Sequence, residues 1–151
     1  MTIPAASDYP SFFAGYIGLV PETDIVSVLS SQVDLVPRLS AAVGADRELY
    51  AYEPSKWTIR QVMGHLVDAE RVFSFRALCF SRAEQQPLPG FSENVYVDRS
   101  RFNDRPLGDM ADEFALVRRA NVKMFAALDT GQWATDGYPT ASRLRSAHSP
   151  T

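Results

Sequence analysis

Apolar residues recur every three or four positions in three long segments of this chain. That spacing puts the apolar side chains on one face of an α-helix, whereas a half-buried strand alternates every two residues. The three segments cover about residues 23–43, 59–82 and 106–128. The pattern therefore predicts an all-α domain with three long helices, and we expect no strands.

The apolar faces of these helices are wide. Three helices can close a small core, but wide faces favour a fourth helix in the bundle. The predicted faces are Ile25, Leu29, Val36 and Val43 in the first helix, Ile59, Val62, Leu66, Ala69, Phe73, Ala77 and Phe80 in the second, and Leu107, Met110, Phe114, Val117, Met124 and Leu128 in the third.

Local signals predict where these helices begin, bend and end. Pro37 is expected to kink the first helix, because its ring clashes with a preceding carbonyl, and Gly44 is expected to end that helix as a C-terminal cap. Thr58 and Gln61 have the spacing of a capping box at the start of the second helix. Pro106 suits the first turn of the third helix.

The remaining segments set the predicted domain boundaries, with an N-terminal arm at residues 1–22, the bundle at 23–133 and a disordered or irregular tail at 134–151. The connection over residues 86–105 is long for a compact domain, so we expect it to cover one end of the bundle and to have room for a helical turn. After Gly131 the helical pattern fails.

The arm contains an apolar stretch, Phe12–Val20, that is too short to span a bilayer. The first basic residue is Arg38, so the arm lacks the positive charge of a signal peptide. We expect the arm to pack on the bundle and the protein to be cytoplasmic.

Composition and charge exclude several functional classes. The hydrophobic share of 46% and the charged share of 22% are typical of a globular domain. The net charge is −3 and the basic residues are scattered, which argues against nucleic acid or an anionic membrane as a partner. Cys79 is the only cysteine, which excludes an internal disulfide and predicts a small, half-buried side chain without an activating partner.

Each predicted helix carries a polar residue within its apolar pattern. Gln32 and Asn121 are expected at the edges of their faces, with local hydrogen bonds. Arg76 lies nearer the centre of its face and needs a carboxylate or a carbonyl as a partner if it is buried. His65 lies on an inward-leaning flank, where it is either a hydrogen-bonded structural residue or a metal ligand.

The sequence supplies few further ligands to a metal at His65. Asp68 lies one helical turn away on the same side, whereas Glu70 lies about 140° round the helix and is expected on a solvated surface. His148, the only other histidine, lies in the predicted tail. A catalytic metal normally has three protein ligands and a water, and three are not apparent here.

The segment Lys56–Phe73 (KWTIRQVMGHLVDAERVF), continued by Arg76–Leu78 and Pro87–Val97, resembles the second-helix signature of the DinB/YfiT-like superfamily. The resemblance implies a four-helix bundle, often dimeric, that binds a divalent metal such as zinc or nickel through three histidines. His65 matches the first ligand, and the other two belong to a Gly-His-x-x-His-His-like run on the last helix. The implied activities are metal-dependent hydrolysis and thiol transfer, in which the metal lowers the pKa of a bound water or thiol.

The chain departs from this family pattern after Trp133. Gly137-Tyr138-Pro139 resembles the turn before the last helix, but no helix pattern and no paired histidines follow, and His148 does not stand in the motif. We therefore expect a C-terminus altered by truncation or a frameshift, with the fourth helix missing or degenerate and the metal site incomplete.

Three functional hypotheses follow. The first is a metal-dependent hydrolase or thiol S-transferase that acts on an unidentified small molecule. The second is a non-catalytic, stress-associated bundle that binds a partner or self-associates, with a homodimer as the expected assembly. The third is an inactive relative whose exposed apolar faces cause aggregation.

Overall fold

A computed structural model of the protein describes residues 4–22 and 24–135. This part of the chain contains helices and no strand, which confirms the predicted all-α class. The α-helices are α1 (Ala14–Gly18), α2 (Ile25–Ala41), α3 (Ile59–Ser81), α4 (Glu93–Arg99), α5 (Leu107–Ala126) and α6 (Thr130–Trp133), and short 3₁₀ turns cover Ser11–Phe13, Ala45–Arg47 and Phe102–Asp104.

Helix α5 is the central element, because it packs against both α2 and α3. Side-chain contacts between the helices fix their directions. Glu70 of α3 meets Arg118 of α5, and Arg60 near the start of α3 meets Asn103 just before α5, so α3 and α5 are parallel. Gln32 also bonds Arg118, while Val43 lies beside Leu107, so α2 runs antiparallel to α5.

The predicted helix boundaries are correct except at the end of α2. Thr58 and Gln61 form the predicted capping box, with the Gln61 N–H donating to Thr58 Oγ1 at 3.1 Å. Pro106 precedes α5 as its N-cap. The prediction for Gly44 is wrong, because α2 ends through Ala42 in a right-handed conformation and Gly44 has a φ of −64°. The last turn of α2 is tightened by hydrogen bonds to the carbonyls three residues earlier, from Ala42 to Leu39 and from Val43 to Ser40. These bonds satisfy the last carbonyls, so a glycine in the left-handed conformation is not needed to end the helix.

The core lies where α5 meets its two neighbours. Its buried members are Met63, Val67, Leu107, Met110, Ala111 and Phe114. On α3 the buried face differs from the predicted one, because Val62, Leu66 and Phe73 are 44%, 38% and 56% exposed. These three residues lie to the side of the α5 contact, and their exposure is consistent with a bundle position that no described helix fills.

The connection between α3 and α5 was expected to cover one end of the bundle. It also runs back along the side of α3 and contacts that helix. It contains α4, with Val97 2% exposed, and the 3₁₀ turn Phe102–Asp104. The Phe102 ring lies directly on Gly64, where an added Cβ would come within 2.3 Å of the ring carbons. This close approach explains why a glycine stands in the middle of α3.

The N-terminal arm does not bury its apolar residues, contrary to the prediction that it packs on the bundle. Phe12, Tyr16 and Leu19 are 70%, 64% and 80% exposed. Phe12 packs within the arm, against Phe13 and Tyr16. Within residues 4–22 and 24–135, no helix is long and apolar enough to cross a membrane.

Candidate functional site

His65 lies in the second turn of α3 beside aromatic side chains. The Trp57 ring centroid is 4.9 Å from the imidazole centroid, and the Phe91 ring lies nearly parallel to the imidazole at 6.1 Å. The Nδ1 atom of His65 is buried and has no hydrogen-bond partner among the described residues. An unpartnered nitrogen in such surroundings is unusual and calls for a ligand or a structural reason.

The connection before α4 supplies the rest of this aromatic cluster. The Phe91 ring makes edge contacts with Phe73 of α3, at 6.2 Å, and with Tyr96 of α4, at 4.8 Å. Phe91 therefore joins α3 and α4 on the side of α3 where His65 lies. The sequence does not reveal Phe91 as part of the site, because it stands in a segment without helical periodicity.

Asp68 is the carboxylate nearest to His65 along α3. Burial raises the pKa of Asp68, and the positive charges of Arg71 and His65 offset that effect only in part. Arg71 is itself paired with Glu113 of α5. The predicted neighbour of His65 is therefore present on the same side of the helix and partly shielded from water.

A complete metal site is not formed by residues 4–22 and 24–135, because no group of three His, Cys, Asp or Glu side chains converges there. His65 and Asp68 are two residues of ligand type, one helical turn apart on α3. His148 lies outside the described residues.

Glu70 occupies a buried polar network and not the solvated surface that the sequence suggested. Its carboxylate accepts two hydrogen bonds of 2.7 Å from the Arg118 guanidinium, and a third of 3.0 Å from Asn121. Gln32 of α2 accepts a further bond from Arg118. The expectation of local bonds for Gln32 and Asn121 is therefore wrong, because both join a network that links α2, α3 and α5.

Arg118 is the residue that the sequence analysis missed in this network. It is 8% exposed and lies 4.9 Å over the Phe114 ring. The available signal was its position four residues after Phe114, on the same face of α5. The predicted face contains Val117, one residue earlier.

Arg76 and Cys79 agree with their predictions. Arg76 Nη2 donates to the Pro89 carbonyl at 3.0 Å, which is one of the two partner types expected for it. Its guanidinium also lies 5.6 Å over the Phe73 ring. Cys79 is a free, half-buried thiol.

These features define a helical-bundle protein with a histidine-centred aromatic site on its longest helix. The model of the DinB superfamily matches residues 32–148, and the chain belongs to that superfamily. The match continues past Trp133, where the sequence resemblance was expected to end, into residues that the structure does not describe. No curated protein and no solved structure matches the chain.

Proposed function

We propose that the protein performs a metal-dependent hydrolysis or a thiol transfer to an electrophilic small molecule at a site built on His65. The observation that carries this proposal is the buried, unpartnered Nδ1 of His65 among the described residues. Leaving a buried polar atom without a partner costs about 1–3 kcal/mol. A divalent cation such as zinc or nickel would remove that cost by accepting the imidazole as a ligand.

Asp68 is the proposed second ligand. It lies at position i+3 from His65, one turn along the same side of α3, and its carboxylate is partly buried. Catalytic zinc uses three protein ligands with one open position. The remaining ligand would then come from the rest of the chain or from a second subunit.

Metal content tests this proposal. Purified wild-type protein and the His65→Ala variant are loaded with zinc or nickel, freed of excess ion and measured by plasma mass spectrometry. We expect about one ion per wild-type chain, as a three-ligand site binds one ion, and loss of that ion in His65→Ala. Cys79→Ser is the matched control, since the half-buried thiol is outside the proposed site and its loss leaves the metal content unchanged.

Two further variants assign the other ligands. Asp68→Asn keeps the shape of the side chain but removes the charge, and it should weaken metal binding if Asp68 is a ligand. His148→Ala reports whether the only other histidine contributes. Wild-type protein that retains no metal after loading contradicts the metal-dependent proposal.

Self-association is a second candidate function, and a groove between α2 and α3 favours it. The groove has a volume of about 220 Å³. It is lined by Val36, Leu39, Ser40, Val43, Ile59, Val62, Met63, Leu66 and Leu107. Leu39 is 61% exposed, and contiguous exposed apolar surface of this kind marks interaction sites in soluble proteins.

The occupant that we propose for this groove is a second copy of the chain. The lining carries no charged residue, so it suits another apolar helix face and not a charged peptide. The same groove on two copies gives a self-complementary, two-fold interface, which is the commonest arrangement in homo-oligomers.

Light scattering after size-exclusion chromatography tests this second candidate. We expect a dimer for the wild type and a monomer for Leu39→Lys, because a charge in the groove opposes apolar contact. Leu116→Lys is the matched control, since Leu116 is 65% exposed on a surface between α2 and α5 that lies outside the groove. A wild-type monomer, or a dimer that persists in Leu39→Lys, contradicts the assignment of this groove.

A further inference from the structure

Residues 87–92, here called the strap, lie beside α3 after the end of that helix. Arg76 holds the strap by donating from Nη2 to the Pro89 carbonyl at 3.0 Å. The other end is anchored where the Tyr96 N–H donates to the Ser92 carbonyl at the start of α4. The strap therefore connects the His65 side of α3 to α4.

Phe91 is the side chain by which the strap reaches His65. Its ring lies nearly parallel to the imidazole, with an angle of 2° between the planes. It also contacts Phe73 and Tyr96 through edge arrangements. Phe91 and Trp57 therefore lie beside the imidazole, whose Nδ1 is buried although His65 as a whole is half-buried.

The attachments of the strap suit a segment that opens locally. Pro87 and Pro89 have no N–H to donate, and Pro89 is held through its carbonyl by a bond on the exposed surface. Segments with few buried contacts and solvent-exposed hydrogen bonds open at a small fraction of the global unfolding free energy. The Arg76 bond lies outside the core, so its loss removes an attachment of the strap and no core contact.

We infer that the strap is a gate over the buried Nδ1 of His65. The hydrogen bond from Arg76 to the Pro89 carbonyl holds the gate closed, and the Phe91 ring is the part that blocks access to Nδ1. In the closed form the Phe91 ring lies parallel to the half-buried imidazole, and a ligand that binds Nδ1 has to displace that ring. Release of the Arg76–Pro89 bond lets the Phe91 ring move away and exposes the buried Nδ1 of the half-buried His65. This inference rests on the proposed function only in that His65 is the group that the site uses, and access to the imidazole is measurable without any metal.

The test is the rate at which diethyl pyrocarbonate modifies His65, followed by peptide mass spectrometry at neutral pH in metal-free buffer. Arg76→Ala removes the hydrogen bond to Pro89. We expect the modification rate at His65 to rise about two- to tenfold, the change in an equilibrium that the loss of one hydrogen bond produces. Arg76→Lys retains a cationic donor and should restore a rate near that of the wild type. Phe91→Ala removes the ring that lies beside the imidazole and should give the largest increase in the modification rate.

Arg119→Ala is the matched control, because it removes an arginine that pairs with Asp34 on another surface of the bundle. Far-ultraviolet circular dichroism and thermal melts confirm that each variant is folded at the assay temperature. A rate at His65 in Arg76→Ala equal to that in Arg119→Ala and in the wild type overturns the gate. Since no metal is added, that outcome is separate from a failure of His65 to bind metal.

Discussion

At the scale of single residues, Gly64 decides how closely the connection packs on α3. An added Cβ at this position would come within 2.3 Å of the Phe102 ring. Gly64→Ala should therefore lower the free energy of unfolding by about 1–3 kcal/mol, the usual cost of overpacking, despite the better helix propensity of alanine. Urea unfolding at equilibrium measures the change.

Gly108→Ala is the control for the Gly64 prediction. Gly108 lies in the first turn of α5, and apart from its chain neighbours and its own helix backbone, no atom of the described residues lies within 4 Å of the Cβ that alanine would add. Without a clash, alanine should leave stability unchanged or raise it by up to about 1 kcal/mol. Equal effects of the two substitutions would show that Phe102 does not constrain residue 64.

Residue-scale features differ in how far the sequence predicts them. The Thr58–Gln61 capping box was predictable because all of its contacts lie within four residues. The position of Phe102 on Gly64 was not, since it depends on the path of a connection without periodicity. His65 was recognisable from its motif, but its contact with the Phe91 ring depends on that same path.

At the scale of the elements, the network around Glu70 joins all three long helices. The side chains of Glu70 and Arg118 are 17% and 9% exposed, and Gln32 and Asn121 complete their hydrogen bonds. Because removal of one partner leaves the other charge buried, Glu70→Gln should lower the free energy of unfolding by about 3 kcal/mol. Urea unfolding again provides the measurement.

A surface ion pair between the same helices serves as the control for this prediction. Arg119 of α5 pairs with Asp34 of α2 at 3.4 Å, with side-chain exposures of 58% and 77%. Asp34→Asn should change stability by less than about 1 kcal/mol, as is usual for exposed pairs. A loss in Glu70→Gln no larger than in Asp34→Asn would mean that the buried network adds little to the stability of the bundle.

The elements themselves were predictable, but the faces they bury were not. Helical spacing gave α2, α3 and α5 to within about two residues, as boundary uncertainty allows. On α3, however, the sequence pattern centred the apolar face on Val62, Leu66 and Phe73, whereas contact with α5 buries Met63 and Val67. A single helix with a wide apolar face does not specify which part of that face its neighbour covers.

At the scale of the whole molecule, the bundle and the N-terminal arm differ in how they are held. The core lies between α2, α3 and α5, and no residue of α1 is buried. The sequence predicted an arm packed on the bundle because the Phe12–Val20 stretch is apolar. Apolar composition alone does not provide a complementary surface, and the structure leaves Phe12, Tyr16 and Leu19 exposed.

Deletion of residues 1–20 therefore tests whether the arm is exposed, as in the structure, or packed on the bundle, as the sequence predicted. Exposed side chains contribute little to the free energy of unfolding, so the melting temperature of the deletion variant should stay within about 3 °C of the wild type, a shift below 1 kcal/mol for a domain of this size. Phe114→Ala, which removes a ring that is 2% exposed, is the contrasting variant and should cost about 3–5 kcal/mol. If the deletion lowers the melting temperature as much as Phe114→Ala does, the arm packs on the bundle in solution, as its sequence suggested.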